Sequence, residues 1–590
     1  MSEKIKISVV MHDEKPNVKE KEKNTNALAL TQETDMTIMS VLLQNQLMSG
    51  SFCGGRGDCG RCVIQFLDGA PLPTGVERAR LTPEELRQGY RLACVAKPKR
   101  DCVIRIVDRD DRDMPIVTEV NLPSEFIDLN SRKNNLSEKQ KPDAMEFPGK
   151  DEKKEKATLS CNGRYMIAVD LGTTTIAMQL RDVETGEAAD TYCEKNPQSI
   201  YGTDVLARIE ASCNGNRAEL QKLVCESLAR GLRQFMECLR GKQCAEDTES
   251  REARLSENGE EGAQILCMCI AGNTVMEHLL LGYDVEGLGK APFAPVEKGL
   301  QKVSLPGMDF PVYVVPCISA FVGGDVVAGL YALHMLPPFH EQKNDRRQTA
   351  EDGMGVTPAD REREENGTAA LLIDLGTNGE MAITDGRRML VTATAAGPAF
   401  EGRGDLIGTD RIALTAELLR RGILDETGLM AEPYFEEGVR LELTEKNGTE
   451  EKRGRINREK AKKYERYFRK EDVRALQMAK AAVRAGVEIL WEEMGRPSIK
   501  RIYLAGGFGY YLDVEASVKI GLLPAYMRGR VQAVGNTSLA GAYELGRALS
   551  KGETSGEILE KRLSYIESMN LAKKSAFEGL YLKYMNLEEN

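Results

Sequence analysis

The chain has 590 residues, of which 41% are hydrophobic and 29% charged, and its net charge is −11. That length accommodates three or four domains, the acidic balance leaves no basic footprint for nucleic acid, and no apolar run reaches the ~20 residues that span a bilayer. Met1-Ser-Glu-Lys-Ile-Lys-Ile7 lacks the apolar core of an export signal, and ten of the 14 cysteines are scattered without paired spacing, so a cytoplasmic protein without a disulfide framework is expected.

Residues 4–10 alternate and predict a first strand, the charged stretch Glu14 to Asn26 a solvated loop, and Thr37 to Leu47 a helix. Four cysteines then dominate the reading. Cys53, Cys59 and Cys62 are spaced C-x5-C-x2-C, and Cys94 follows after 31 residues. A [2Fe–2S] cluster needs four thiolates, and plant-type ferredoxins place three on a tight loop and one on a distant return segment. Gly54, Gly55, Gly57 and Gly60 suit a loop whose backbone N–H groups approach inorganic sulfur. Zinc sites favour paired short spacings instead. Cys102, the nearby competitor, lies in the alternating run Cys102-Val-Ile-Arg-Ile-Val107 and reads as core. With strands at 63–67 and 103–107, residues 1–110 form a β-grasp ferredoxin-like domain in this reading.

Residues 111–160 are rich in Lys, Glu, Asp, Asn and Pro and read as a flexible linker. Three further charged stretches, about 240–262, 341–367 and 445–460, read as surface loops. Ile167-Ala-Val-Asp170-Leu-Gly172-Thr173-Thr174-Thr175, ahead of these stretches, returns 204 residues later as Leu371-Leu-Ile-Asp374-Leu-Gly376-Thr377-Asn378-Gly379. Each is an apolar strand, a tight Asp-x-Gly-Thr turn and a second strand. A long helix from Val473 to Trp491 precedes a third element, Arg501-Ile-Tyr-Leu-Ala-Gly506-Gly507-Phe-Gly509, read as a strand ending in a glycine turn.

Nucleoside triphosphates require backbone N–H groups near phosphate oxygens and a carboxylate near the metal. Gly172, Thr173 and Thr174 on one hairpin and Gly376, Thr377 and Asn378 on the other are the candidates for phosphate. Asp170 and Asp374 supply hard oxygens for Mg²⁺, which keeps most of its water, and Gly506, Gly507 and Gly509 leave room for the nucleoside. This ordered trio resembles the phosphate and adenosine motifs of the actin–Hsp70–sugar-kinase superfamily. The implied fold is multidomain α/β and α+β: a β-grasp [2Fe–2S] domain, then a duplicated actin-like, ribonuclease H-like ATPase over 161–550 and a helical tail over 551–590.

A ferredoxin joined to such an ATPase resembles the reductive activators of corrinoid proteins. The segments that carry the resemblance are 196–209, 271–280, Phe321-Val-Gly-Gly-Asp325, 374–380, 396–401, 505–509 and Gly535-Asn-Thr-Ser-Leu-Ala-Gly541. It implies ATP-dependent reduction of an inactive Co(II) corrinoid to Co(I), with a [2Fe–2S] cluster, ATP and Mg²⁺ as cofactors. It also implies a methyltransferase-system corrinoid protein and an external electron donor as partners, with a homodimer allowed. Asp325 becomes a candidate for positioning Mg²⁺ or water, or for starting a helix. Asn273 and Thr274 either line the cleft or cap the following helix. Larger members carry a middle domain after the ferredoxin, and the 50-residue linker here leaves it reduced or absent in this reading. Two rival functions stay open: an ATP-driven donor like the activators of 2-hydroxyacyl-CoA dehydratases, and a non-enzymatic ATP- and redox-sensing binding protein.

Overall fold

The computed structural model describes residues 4–10, 27–33, 36–45, 62–81, 83–106, 163–202, 204–246, 263–338, 368–376, 378–396, 400, 408–444, 463–552 and 554–589. Cys53, Cys59, Thr377 and the stretches 14–26, 111–160, 341–367 and 445–460 lie outside them.

The N-terminal unit is a five-stranded sheet of β1 (Lys4–Val10), β2 (Ala27–Glu33), β3 (Val63–Asp68), β4 (Tyr90–Leu92) and β5 (Cys102–Ile106), in the order β2-β1-β5-β3-β4. β1 pairs with β5 in parallel and the other contacts are antiparallel. Alternation in β1 sends Ile5, Ile7 and Val9 to one face, where Ile38, Val41 and Leu42 of helix α1 (Ile38–Gln44) close the core with Ile64, Phe66 and Ile104. Two short helices, α2 (Gly75–Arg80) and α3 (Pro83–Arg87), precede β4. Cys102 is buried in this core, as its strand pattern predicts.

The large unit contains two six-stranded sheets. The first has β6 (Arg164–Leu171), β7 (Thr175–Asp182), β8 (Ala188–Lys195), β9 (Gln264–Gly272), β10 (Gln301–Val303) and β11 (Val312–Val314), ordered β10-β11-β9-β6-β7-β8. The second has β12 (Thr368–Leu375), β13 (Asn378–Thr384), β14 (Met389–Ala395), β17 (Ser498–Ala505), β18 (Val531–Gly535) and β19 (Ile566–Met569), ordered β18-β17-β12-β13-β14-β19. A separate hairpin pairs β15 (Val439–Thr444) with β16 (Lys463–Phe468). In each sheet a three-stranded antiparallel meander continues into two parallel strands. The carboxyl ends of parallel strands are where open α/β sheets hold ligands. Here those ends carry Asp170, Gly272, Asp374, Ala505 and Gly535.

Helices α4 (Val205–Ala211), α5 (Arg217–Glu246), α6 (Thr274–Leu280), α7 (Glu286–Gly289) and α8 (Gly324–Ala332) belong to the first half. Helices α9 (Gly408–Arg420), α10 (Lys470–Glu493), α11 (Gly506–Tyr510), α12 (Thr537–Leu549), α13 (Thr554–Leu563) and α14 (Ala576–Lys583) belong to the second. α8 and α12 pack together between the sheets, sharing one core with Met166, Ala168, Leu372, Val391 and Tyr503. Their backbones touch: a Cβ on Gly541 would lie 1.9 Å from the Ala328 carbonyl oxygen.

Three expectations change. The charged stretch from Arg240 does not begin as a loop, because α5 continues to Glu246. Gly506, Gly507 and Gly509 form the first turns of α11 rather than an open turn. The tail is not only helical: β19 adds a parallel strand beside β14. Among the described residues no helix is long and apolar enough to cross a membrane.

Candidate functional site

Two of the four candidate cluster ligands are described, and the fold brings them together from opposite ends of the 31-residue interval. Cys62 enters β3 and Cys94 leaves β4, and the Cys94 N–H donates to Cys62 Sγ at 3.5 Å. Both thiols are buried and neither is in a disulfide. Leu92, two residues before Cys94, donates its N–H to the buried carboxylate of Glu77 at 2.9 Å, and Glu77 also closes the capping box with Thr74 that starts α2. Adjacent soft donors with an N–H aimed at sulfur suit a [2Fe–2S] cluster.

The first Asp-x-Gly-Thr hairpin is braced from behind. The Gly172 N–H bonds to the Thr175 carbonyl at 2.9 Å, and Asn196 donates to the Gly172 carbonyl at 2.8 Å. The Thr173 carbonyl accepts from Arg208, a fully buried guanidinium that also holds the Gly202 carbonyl at 2.9 Å. Asn273 donates to Thr173 Oγ1 at 2.7 Å while its own oxygen caps α6 at the Met276 N–H. Asn273 is therefore the cap of α6, and its amide also reaches the first hairpin. Thr173 Oγ1 accepts from Asn273 and so retains its own hydroxyl proton to donate, and the Arg208 guanidinium places a buried positive charge behind this turn.

Asp170, at the end of β6, accepts from Asn536 at 2.8 Å and Ser538 at 2.9 Å. Asn536 is the N-cap of α12, so the second half of the molecule reaches across to orient the first half's carboxylate. The second hairpin is closed by the Gly376 N–H to the Asn378 carbonyl at 2.9 Å. Asp374 stands opposite Glu380 in the β12–β13 register, whereas Asp170 stands opposite Ala177 in β6–β7. Gly506, with φ +82°, packs on Asp374; a Cβ there would lie 2.4 Å from Asp374 Oδ1, so no other residue fits that close approach. Behind α11, Phe508 stacks on Phe400 with ring centroids 4.7 Å apart. Asp325 lies in the first turn of α8, accepting the Val326 N–H at 2.8 Å; the N-cap itself is Gly323.

Five carboxyl groups thus interact: Asp170, Glu277, Asp325, Asp374 and Glu380. Burial is the first cause that pushes each upward, and for all but Asp170 repulsion from a neighbouring carboxylate adds to it. Asp374 is raised to about 8 by burial and then by Asp325 and Asp170. Asp325 is raised to about 7 by burial, with Asp170 adding to it against the Val326 N–H. Glu380 is held well above the carboxylate range by burial, Asp325 and Asp374, and Glu277 by burial and Asp325. Asp170 is also raised, although Asn536 and Ser538 oppose the shift. Among the described residues no three of these side chains are grouped closely enough to hold a metal ion directly, so a Mg²⁺ here would be met through its own water. The sequence had not singled out Arg208, Asn536, Ser538, Glu277 or Glu380 as site residues. A depression of about 490 Å³ over the start of α10, lined by Thr427, Gly428, Lys470, Glu471 and Arg474, includes none of these groups.

Comparison with known proteins sharpens this. The family model for the RACo middle region matches residues 165–337, and that for the C-terminal domain of RACo, the ASKHA domain, matches 368–410 and 404–590. Together they span well over half of the chain. It belongs to the RACo family. The middle-region match falls on the stretch read from the sequence as the first Asp-x-Gly-Thr half. A 2Fe-2S iron-sulfur cluster binding domain matches residues 22–99, so a RACo-type ASKHA fold for ATP follows a [2Fe–2S] domain in one chain.

The chain is 28% identical over 434 residues to corrinoid activation enzyme RamQ of Eubacterium limosum, covering 64% of this chain and 63% of that protein. That match spans somewhat less than two thirds of the relative's length. It is 24% identical over 469 residues to the [Co(II) methylated amine-specific corrinoid protein] reductase of Methanosarcina barkeri, covering 71% and 76% of the two chains. A solved structure titled reductive activator for corrinoid,iron-sulfur protein has the same fold, with TM-score 0.55, 21% identity and coverage of 99% and 98%.

Proposed function

We propose that this protein uses ATP to drive one electron from its [2Fe–2S] domain into a corrinoid protein, returning inactive Co(II) to Co(I) for methyl transfer. The observation that carries this reading is the union, in one chain, of a [2Fe–2S] domain with a RACo middle region and an ASKHA domain whose carboxyl groups interact with each other. The names of both curated relatives point the same way. The reading divides the chain into 1–110 for the cluster, 111–160 as linker, 161–550 as ATPase and 551–590 as tail. Its partners are a corrinoid protein of a methyltransferase system, an external electron donor and a second copy of the chain, in a cytoplasmic setting.

In this account Cys53, Cys59, Cys62 and Cys94 hold the cluster. Gly172, Thr173 and Thr174 face phosphate from one side, and Gly376, Thr377 and Asn378 from the other. Gly506, Gly507 and Gly509 line the nucleoside, and Asp170, Asp374 and Asp325 hold hydrated Mg²⁺. When bound, the cluster supplies single electrons at about −400 mV and ATP supplies the free energy that a lower-potential acceptor demands. The demand is real, because each ~59 mV of mismatch costs tenfold in a one-electron transfer. The chain's own contribution is to bind the two hairpins and α8 onto one ligand, which changes the lobe arrangement that a protein partner meets. Such coupling requires different affinities for the partner in the two nucleotide states.

The test is anaerobic incubation of the purified chain with a chemical reductant and a methylated amine-specific corrinoid protein in the Co(II) state, with and without ATP. Appearance of the Co(I) absorption spectrum only with ATP is expected, together with a [2Fe–2S] electron paramagnetic resonance signal. A [4Fe–4S] signal would support the dehydratase-activator alternative instead. Absence of both ATP turnover and Co(I) would support the sensor.

A further inference from the structure

Glu277 is 3% exposed and lies in α6, a helix whose seven residues are all buried. A buried carboxyl costs stability unless it is bonded, and the bonds of this one join three elements. It accepts the Gly272 N–H at 3.2 Å at the end of β9. It also accepts the Gly324 N–H at the start of α8. The approach is close, since a Cβ on Gly324 would lie 2.2 Å from Glu277 Oε1. The N-cap of α8 is Gly323, which has no side chain to cap with, so Glu277 supplies an acceptor that the helix start otherwise lacks.

Each joined element carries a group of the cleft. In the β6–β9 register Gly272 pairs with Leu171, and Ala271 with Asp170. Asn273, the N-cap of α6, donates to Thr173 Oγ1 at 2.7 Å. Asp325 follows Gly324 directly in α8 and is near enough to repel Glu277. The backbones abut as well: a Cβ on Gly323 would lie 2.5 Å from Asn273 Cα and 2.6 Å from the Gly272 carbonyl oxygen. Backbone contact sets how near the start of α8 comes to the 272–274 turn. One carboxyl bonded to an N–H on each side sets the direction in which it points.

We propose that Glu277 is a positioning residue for ATP turnover, fixing Asp325 of α8 against the strand end that bears Asp170 and the turn that bears Thr173. This rests on the ATP use proposed above and adds to it a residue that meets neither nucleotide nor metal. Glu277 acts through Asp325, and the precision matters, because a misplacement of about 1 Å can cost on the order of 100-fold in rate. The role belongs to the acceptor oxygen rather than to charge, since two N–H groups are what the side chain holds.

The experiment compares the wild-type chain with Glu277→Gln, Glu277→Leu and Glu277→Ala. Steady-state ATP turnover gives kcat, KM for ATP and the Mg²⁺ concentration for half-maximal rate, alongside the melting temperature. The glutamine variant keeps an oxygen for both N–H groups and is expected within about twofold of wild type. The leucine variant removes the acceptor and is expected to lower kcat at least about tenfold and raise the Mg²⁺ requirement, with KM for ATP little changed. Glu277→Ala leaves space for a water on the two N–H groups, so it keeps the test open if the leucine variant does not fold; the same direction of change is expected. A double-mutant cycle with Asp325→Asn is read by titrating a non-hydrolysable ATP analogue at fixed Mg²⁺. Glu277→Ala should weaken binding in the wild-type background and cost little more beside Asp325→Asn, as residues that act as one unit do. A lowered melting temperature with unchanged kcat and Mg²⁺ requirement overturns the positioning role. So do losses that multiply fully in the cycle, or a glutamine variant as slow as the leucine one. Absence of ATP turnover in the wild-type chain overturns the proposed function itself.

Discussion

Asp374 and Glu380 face each other across a hairpin, and like charges in directly opposed positions destabilise a sheet. Nature of the first hairpin shows that the repulsion is not required by the fold, since Ala177 stands opposite Asp170. The second carboxylate is held at a cost to stability. The sign follows from the raised values: Asp374 at about 8 and Asp325 at about 7 bind protons in the folded chain that an unfolded carboxylate near 3.8 has lost. Stability from these groups is therefore fully present below pH 4 and lost as pH rises toward 8. Asp374→Asn is expected to raise the melting temperature by roughly 2–4 °C at pH 8 while abolishing ATP turnover; a lower melting temperature would contradict this. The same protons must leave when Mg²⁺-nucleotide binds. Affinity should rise from pH 6 to 8 with net proton release, seen by calorimetry in buffers of different ionisation enthalpy, and proton uptake would refute it. At the cluster, Cys94→Ser is expected to remove the [2Fe–2S] signal and leave ATP turnover, and survival of that signal would assign the ligand elsewhere. Cys62, Cys94, Asp170 and Asp374 were legible because spacing or repetition marks them. Asn536 and Ser538 were not, since they meet Asp170 across 366 and 368 residues of chain. Arg208 lies within the 196–209 segment of the resemblance, but nothing in that segment marks it as a buried charge behind the Thr173 turn, which only the fold reveals.

Among elements, α8 and α12 couple the two sheets through backbone contact at Gly541. Gly541→Ala must push the helices apart, so a destabilisation of about 1–3 kcal/mol is expected from overpacking; a denaturant midpoint equal to wild type would show that the contact yields. The tail is secured differently. Lys480 of α10 is fully buried and donates to the Asn586 carbonyl, and Gln477, one turn away, donates to the Met585 carbonyl at 2.9 Å. Burial lowers Lys480 to about 7, with Arg484 adding to the shift and Glu588 opposing it. Folding between pH 7 and 10.5 thus releases a proton, and this group's contribution to stability grows with pH over that window by at most ~1.4 kcal/mol per unit. Lys480→Met should flatten the rise of stability between pH 7 and 9 relative to wild type; parallel curves would contradict it. Hairpins and long helices were legible because apolar periodicity declares them. The strand β19 was not, because Ile566-Glu-Ser-Met569 is too short and polar to alternate convincingly and owes its form to pairing with β14. The short helix from Gly506 was hidden because glycine suggests a turn, and Gly506 does keep a turn-like φ of +82° where it meets Asp374 before the helix continues to Tyr510.

On the scale of the whole molecule, the tail spans both halves of the ATPase. β19 extends the second sheet, Glu560 of α13 accepts the Leu300 N–H at 2.9 Å, and Arg562 donates to the Leu336 and Pro337 carbonyls, each at 2.7 Å. Ser568 also donates to Ser319 Oγ at 3.0 Å. Together with the Asp170–Asn536 link and the α8–α12 crossing, these contacts tie the two halves to each other at several points. The [2Fe–2S] unit has its own sheet and core, so electron delivery and ATP use are separable in variants. The direct measurement is a single-turnover experiment with the cluster reduced beforehand and excess reductant removed. The Co(II) methylated amine-specific corrinoid protein is added with or without Mg²⁺-ATP, and cluster and cobalt spectra are followed together. The account predicts that cluster oxidation and Co(I) formation occur in equal amounts only with ATP, and that Asp374→Asn retains a reduced cluster and forms no Co(I). Equal Co(I) formation without ATP, or in Asp374→Asn, would contradict it.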